Sequence, residues 1–267
     1  MDDAVLRRTA EELRTAYDSG VPVQPLSGRL HDLTLDDAYR IQFRQVEHWR
    51  GAGAQVKGHK VGLTSAAMRA QLGVDQPDYG HLLDSMFHLE HLPIDVGDFL
   101  QPRIEPEIAF VLDRPLAGPG ITAAEAAAAV DFVLPALEII DSRVRDWRIT
   151  LNDTVADNAS SGGVVLGSRP AALSSVDLRS IGGVLERNGR EAGSGVGGAV
   201  LGTPLNALVW LANTLGRLGV TLEAGHVVLP GSVTAAVDVR AGDRVTATFG
   251  GLGDVTAVFA ETERETA

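Results

Sequence analysis

Arg103-Ile104-Glu105-Pro106-Glu107-Ile108-Ala109-Phe110 is the stretch on which the reading of this chain turns. A strand repeats every two residues, so Arg103, Glu105 and Glu107 fall on one face. Carboxylates that close repel and shift one another's pKa unless water, Arg103 or a cation compensates them, and an oxygen-rich cluster suits Mg²⁺ or Mn²⁺. The same residues also read as an exposed acidic edge, where Pro106 is tolerated. A second apolar run, Val133-Leu134-Pro135-Ala136-Leu137-Glu138-Ile139-Ile140, holds one carboxylate that is costly to bury without a cation or a donor. Asp141 and Arg143 follow at once and offer a structural ion pair as the alternative. Together Glu105, Glu107 and Glu138 supply the charge for one hard divalent ion while leaving positions open for a bidentate ligand.

Outward from these runs the pattern is α+β, a β-rich body behind a helical N-terminal segment. Leu6, Ala10, Leu13 and Tyr17 recur at helical spacing from Asp3 to about Ser19, with Gly20 as the stop. Thr34 and Asp37 form an N-cap pair ahead of Ala38, Ile41, Val46 and Trp49. Residues 1–52 therefore read as a helical hairpin, and residues 53–267 as the β-rich body. Within that body Thr122 with Glu125 caps an alanine-rich helix, and Thr203-Pro204 opens another running through Leu208, Leu211 and Leu215 to Gly219. Asn188-Gly189 inside Val184 to Glu191 is the strongest hairpin signal, and Val227 to Leu229, Ala235 to Val239 and Val245 to Phe249 are further strands.

Composition removes whole classes of function. The 267 residues carry a formal charge of −12 and no basic run, which argues against a nucleic-acid partner. With no cysteine, disulfides, thiolate metal sites and a thiol nucleophile are excluded together. The start is acidic and then helical, so neither secretion nor membrane insertion is indicated and a cytoplasmic location is expected. No fixed-period repeat or strand-to-helix phosphate loop is present.

Three other places carry polar groups of interest. Lys60 stands between glycines in Gly58-His59-Lys60-Val61-Gly62, where an ammonium near a metal is expected to have a lowered pKa and move protons; a surface lysine is the plain alternative. Asp78 lies in the turn-rich Asp75-Gln76-Pro77-Asp78-Tyr79-Gly80, and by residue type alone it caps a turn. The run from Asp153 to Gly163 is dense in small hydrogen-bonding groups and suits either a tight loop or a pocket wall.

The ordered set Lys60-Val61-Gly62-Leu63-Thr64-Ser65, Gly73-Val74-Asp75-Gln76-Pro77-Asp78, Glu105-Pro106-Glu107-Ile108-Ala109, Leu134-Pro135-Ala136-Leu137-Glu138 and Ala156-Asp157-Asn158-Ala159-Ser160 resembles the hydratase/decarboxylase family of aromatic meta-cleavage pathways. That family belongs to the fumarylacetoacetate hydrolase superfamily, and the likeness runs from about residue 35 to Phe259. The resemblance implies a roll of mixed sheets and a homo-oligomer. It implies Glu105, Glu107 and Glu138 as ligands of Mg²⁺ or Mn²⁺, Lys60 and Asp78 as the polar catalytic groups, and Ser160, Gly231 and Ser232 as substrate contacts. Pro230-Gly231-Ser232 stands where many superfamily members carry Thr-Gly-Ser. The implied substrate is a small 2-oxo or 2-hydroxydienoic acid. The implied reaction is hydration of 2-hydroxypenta-2,4-dienoate to 4-hydroxy-2-oxopentanoate, with decarboxylation of 2-oxo-3-hexenedioate (4-oxalocrotonate) as the alternative. A carbon–carbon hydrolase of the superfamily is disfavoured, because the His-x-x-Glu pair that activates water in such enzymes has no counterpart near the N-terminal part of the site.

Overall fold

The computed structural model describes residues 1–260, with backbone alone at positions 71 and 72; the end of the expected β-rich body, 261–267, lies outside the described residues. Helix α1 (Asp3–Ser19) is capped by the Asp2 carboxylate and stops at Gly20, whose φ of 66° suits a residue without a Cβ. Helix α2 (Leu35–Gly51) opens on Thr34, whose hydroxyl accepts from the Asp37 N–H as the spacing predicts. The short helices α3 (Ala66–Leu72), α4 (Ala123–Ala129) and α5 (Leu151–Ala156) and the longer α6 (Pro204–Gly216) complete the helical set. Thr122 and Glu125 close a full capping box on α4, while α6 ends at Gly216, a turn before the expected stop.

Among the described residues thirteen strands form two sheets: β1 (Val56–Gly62), β2 (Asp78–Leu83), β3 (Phe87–His88), β4 (Pro93–Asp95), β5 (Arg103–Leu112), β6 (Val130–Ile140), β7 (Ser161–Leu166), β8 (Gly182–Arg187), β9 (Arg190–Val196), β10 (Val227–Leu229), β11 (Val237–Asp238), β12 (Arg244–Phe249) and β13 (Gly253–Ala260). The larger sheet runs β2-β1-β10-β5-β6-β7-β3, with β11 also on β5, and the smaller runs β4-β13-β12-β8-β9. Parallel pairs β1·β10, β3·β7 and β4·β13 lie among antiparallel ones, so both sheets are mixed. Asn188 and Gly189, with φ of 56° and 73°, make the two-residue turn between β8 and β9 that their sequence signals. Strand β11 keeps only two of the five residues expected of it, because its pairing to β5 ends at Arg103 and Ile104.

Alternation along β5 and β6 decides where the core sits. Ile104, Ile108, Phe110, Val133, Leu137 and Ile139 pack against Leu185, Val245, Phe249, Val255 and Phe259 of the smaller sheet and Leu208, Leu211 and Leu215 of α6. The opposite face of the larger sheet carries Leu82, Ala109, Leu134, Ala136, Val164, Val227 and Leu229. Glu105, Glu107 and Glu138 share the period of that second face. Helices α1 and α2 bury Leu6, Ala10, Leu13, Ala38 and Ile41 together with Val155 and Ala156 of α5. Pro106 sits inside the sheet, not at its edge. Its carbonyl accepts from the Val233 N–H and the Ser232 hydroxyl, both at 3.3 Å, so the missing N–H faces a crossing loop and breaks no β5·β6 bond. Among the described residues no helix is long and apolar enough to cross a membrane.

Behind Lys60, three imidazoles gather where β1, β2 and β10 meet. The His59 ring centroid lies 4.9 Å from that of His81 and 5.9 Å from that of His226, and neither ring nitrogen of His59 has a partner. Burial, then the neighbouring histidines, hold His59 well below its ordinary pKa, and burial pushes His81 down to about 4. Above an unfolded pKa of about 6.5 both states are neutral. As pH falls below that value only the unfolded chain gains these protons, so stability is lost between about 6.5 and about 4. Buried carboxyls with raised pKa contribute with the opposite sign, so the histidine share is read by difference. Urea unfolding at pH 7 and pH 5 is expected to show a smaller loss of stability on acidification for His59→Leu than for the wild type.

Candidate metal and proton-transfer site

The register of β5 on β6 places Glu105 directly opposite Glu138, and Glu107 opposite Ala136 on the same face. Directly opposed residues of antiparallel strands have Cβ atoms about 5 Å apart, so the two carboxylates cannot avoid one another. One oxygen from each of Glu105, Glu107 and Glu138 lies within 4.8 Å of the others. Glu107 and Glu138 are each only 1% exposed. The backbone N–H of Gly231 donates to Glu107 Oε2 at 2.7 Å, and neither oxygen of Glu138 has a hydrogen-bond partner.

Lys60 comes from the middle of β1, not from a strand end, and its Nζ lies 3.2 Å from Glu138 Oε1. Asp78 is the first residue of β2, paired with Gly62, and is buried; the turn expected there ends one residue earlier. A Cβ at position 62 would stand 2.2 Å from Asp78 Oδ1 and 3.5 Å from Lys60 Nζ, so only glycine leaves room for this carboxyl beside the ammonium. Asp78 Oδ1 has no hydrogen-bond partner.

Four carboxyls thus crowd one ammonium in a buried setting. Burial alone would lower the Lys60 pKa, but Glu138, Asp78, Glu105 and Glu107 together outweigh it and hold the ammonium above its ordinary range. The negative neighbours of Lys60 are more numerous than the sequence around it reveals, while the lowering expected beside a metal concerns the metal-loaded site. Burial, reinforced by Glu138, pushes Glu105 up to about 7 and Glu107 well above the usual carboxylate range. Burial likewise raises Asp78 to about 6, against the pull of Lys60.

Such an arrangement is costly unless a cation enters it. Three carboxylates with oxygens within 4.8 Å of one another, those of Glu138 without a hydrogen-bond partner, and no thiolate or imidazole among them, fit a hard divalent ion of the Mg²⁺ and Mn²⁺ type. Arg143 pairs with Asp141, Nη1 to Oδ2 at 3.7 Å, so the structural ion pair forms beside Glu138 and does not include it. Arg143 turns away to Asp157, Nε to Oδ1 at 2.6 Å, and stacks over the Tyr17 ring at 4.1 Å, while Asp141 accepts from the N–H groups of Leu100 and Gln101. Arg103 pairs with Asp238 at 2.9 Å, outside the carboxylate cluster.

The three residues expected at the substrate lie on two separate loops. Gly231 binds Glu107, and the Ser232 hydroxyl donates to the Pro106 carbonyl, so both stand at the edge of the acidic cluster. Ser160 is buried in the turn after α5, its hydroxyl paired with Thr154 Oγ1 at 3.1 Å. Sequence reasoning missed Gly62, although its place on the Lys60 face of β1 follows from the period of two. It also missed the Arg143–Asp157 pair, whose partners are distinguishable only once the chain is folded.

The chain belongs to the fumarylacetoacetate (FAA) hydrolase C-terminal family, whose pattern matches residues 62–260. Within it, the chain is 45% identical over 256 residues to the TodF product hydratase of Pseudomonas putida F1, covering 96% of each protein. It is also 45% identical to the 2-keto-4-pentenoate hydratase of Paraburkholderia xenovorans LB400, over 94% of this chain and 93% of that one. The 4-oxalocrotonate decarboxylase of Pseudomonas putida G7, solved with magnesium and adipate, superposes with a TM-score of 0.94 at 37% identity, over 97% of this chain and 98% of that one.

Because protons compete with a cation for raised carboxyls, metal binding should strengthen as pH rises through about 7, where Glu105 releases its proton. The rise in melting temperature on adding Mn²⁺ is expected to be larger at pH 8 than at pH 5.5. In Glu138→Gln it should vanish, with the unliganded protein no less stable than the wild type.

Proposed function

We propose that this protein is a metal-dependent hydro-lyase that adds water to 2-hydroxypenta-2,4-dienoate, giving 4-hydroxy-2-oxopentanoate in the breakdown of aromatic compounds. One observation carries the reading: Glu105, half-buried, and the buried Glu107 and Glu138 bring carboxylate oxygens within 4.8 Å of one another with a lysine ammonium against them, in a chain 45% identical to hydratases of this substrate class. Glu105, Glu107 and Glu138 would hold Mg²⁺ or Mn²⁺. A divalent ion bound there supplies Lewis acidity at the carboxylate and C2 oxygen of the substrate, where negative charge develops.

The reaction asks the protein to move protons at defined atoms. The 2-hydroxyl loses a proton and C5 gains one, which gives 2-oxopent-3-enoate. The oxygen of water then joins C4, C3 gains a proton, and the water's remaining proton is returned to the protein. Asp78, with a pKa raised to about 6, changes protonation near neutral pH and suits the shuttle. Lys60 keeps a fixed ammonium beside it, a donor to an oxygen on which charge accumulates. The Gly231 N–H orients Glu107, and Ser232 and Ser160 are the proposed contacts for the rest of the substrate.

A second reading, decarboxylation of 2-oxo-3-hexenedioate, is favoured by the superposition on 4-oxalocrotonate decarboxylase. The two differ in what leaves. Hydration releases no gas, whereas decarboxylation breaks a carbon–carbon bond and frees CO₂. Freshly generated 2-hydroxypenta-2,4-dienoate should lose its ultraviolet absorbance and yield 4-hydroxy-2-oxopentanoate only when Mg²⁺ or Mn²⁺ is restored after EDTA. Lys60→Met should lower kcat by about 10²- to 10³-fold while the metal-induced melting shift persists. Inertness toward the dienoate with CO₂ release from 2-oxo-3-hexenedioate would establish the second reading instead.

A further inference from the structure

Strand β2 is an edge strand: its inner side pairs with β1, and among the described residues no strand lies beyond it. Its outer backbone groups are met by side chains instead. The Asn158 carboxamide accepts from the His81 N–H at 2.8 Å and donates to the His81 carbonyl at 2.9 Å, using both of its functions as a neighbouring peptide group would. The Gln42 carboxamide donates to the Tyr79 carbonyl at 3.0 Å. Two amide side chains thus take the place of a missing strand.

The segment that presents Asn158 is unusual. Asn158, Ala159 and Ser160 lie consecutively in the left-handed region, with φ of 51°, 51° and 54°, and none is glycine. Such a backbone persists only where its surroundings over-determine it, and it concentrates at functional sites. Here the bracing is explicit. Arg143 donates to Asp157 from its backbone N–H, its Nε and its Nη2, and the Ser161 hydroxyl donates to the Asn158 carbonyl at 2.8 Å. The turn presses so close on β2 that a Cβ at Gly80 would stand 2.4 Å from the Asn158 carbonyl oxygen.

Asp78 depends on that strand. Its Oδ1 is buried without a hydrogen-bond partner and the groups that favour its ionised form besides Lys60 are the backbone N–H of Gly62 and its own, so the seating of β2 against β1 decides how the carboxyl stands relative to Lys60. We infer that Asn158 is a positioning residue for Asp78: its carboxamide, braced by the left-handed turn, locks β2 in the place from which Asp78 reaches the reacting atoms. The inference rests on the reading of Asp78 as the proton shuttle. Gln45 offers a contrast, since its buried carboxamide donates to the Ile41 and Ala156 carbonyls and to none of β2.

The test is a double-mutant cycle on the Mg²⁺-loaded enzyme with 2-hydroxypenta-2,4-dienoate. Asn158→Ala should lower kcat by about 10- to 100-fold, the scale of a misplaced reacting group, with KM and the Mg²⁺ activation midpoint within about twofold of wild type. In an Asp78→Asn background the same change should cost less than about threefold more, because the group it positions is already disabled. Gln45→Ala should lower the melting temperature and leave kcat near wild type. Should Asn158→Ala fail to fold, Asn158→Asp, which keeps an acceptor for the His81 N–H, is measured in its place against the same expectations. A near-wild-type kcat, or a loss that multiplies in full with Asp78→Asn, overturns the inference while leaving the role of Asp78 intact. A fully active Asp78→Asn enzyme overturns that role itself, and the inference with it.

Discussion

Glu105 faces Glu138 across the β5·β6 ladder, and the rest of the site is arranged around that enforced repulsion. Two carboxylates fixed in register by ten-odd neighbouring strand residues have no freedom to separate. A third, Glu107, follows on the same face, and among the described residues Lys60 is the ammonium brought to them. One positive charge against four carboxyls leaves an excess of negative charge in a buried place, which raises the proton affinity of the acids and makes a divalent cation the natural complement.

The remainder of the larger sheet makes that crowding tolerable. On its other face Ile104, Ile108, Leu137 and Ile139 bury against the second sheet and α6, so the strands that carry the acids are anchored by apolar packing. The acids themselves repel one another, and their raised pKa values show that their charged forms are disfavoured in the absence of a cation. Stability and chemistry are therefore divided between the two faces of the same strands, a division available only because side chains alternate.

The polar network beyond the acids does a different task. Arg143 is fully buried, yet it is satisfied by Asp157, the Ser161 carbonyl and the face of Tyr17, and it braces the left-handed turn next to β2. A buried ion pair of this kind is weak evidence for added stability, because desolvation offsets the attraction. Its value lies in fixing one geometry for the turn.

Much of this was legible in the residues alone. Helical spacing and caps placed α1, α2 and α4, Asn188-Gly189 placed the β8–β9 turn, and the period of two put Glu105 and Glu107 on a common face. These are local properties, set by backbone geometry and by neighbours a few residues apart. The lone carboxylate in an apolar run suggested Glu138 as a third ligand, and family likeness added Lys60 and Asp78, which no local rule joins to it. Only the tertiary structure decided that β5 pairs with β6 in the register that opposes Glu105 and Glu138, that Arg143 chooses Asp157 over Glu138, and that Asp78 begins a strand and does not cap a turn. Each of those outcomes depends on groups far apart in the chain, whose separation and shared burial set the sign of every pKa shift. A sequence lists the charges; the distances between them exist only after folding.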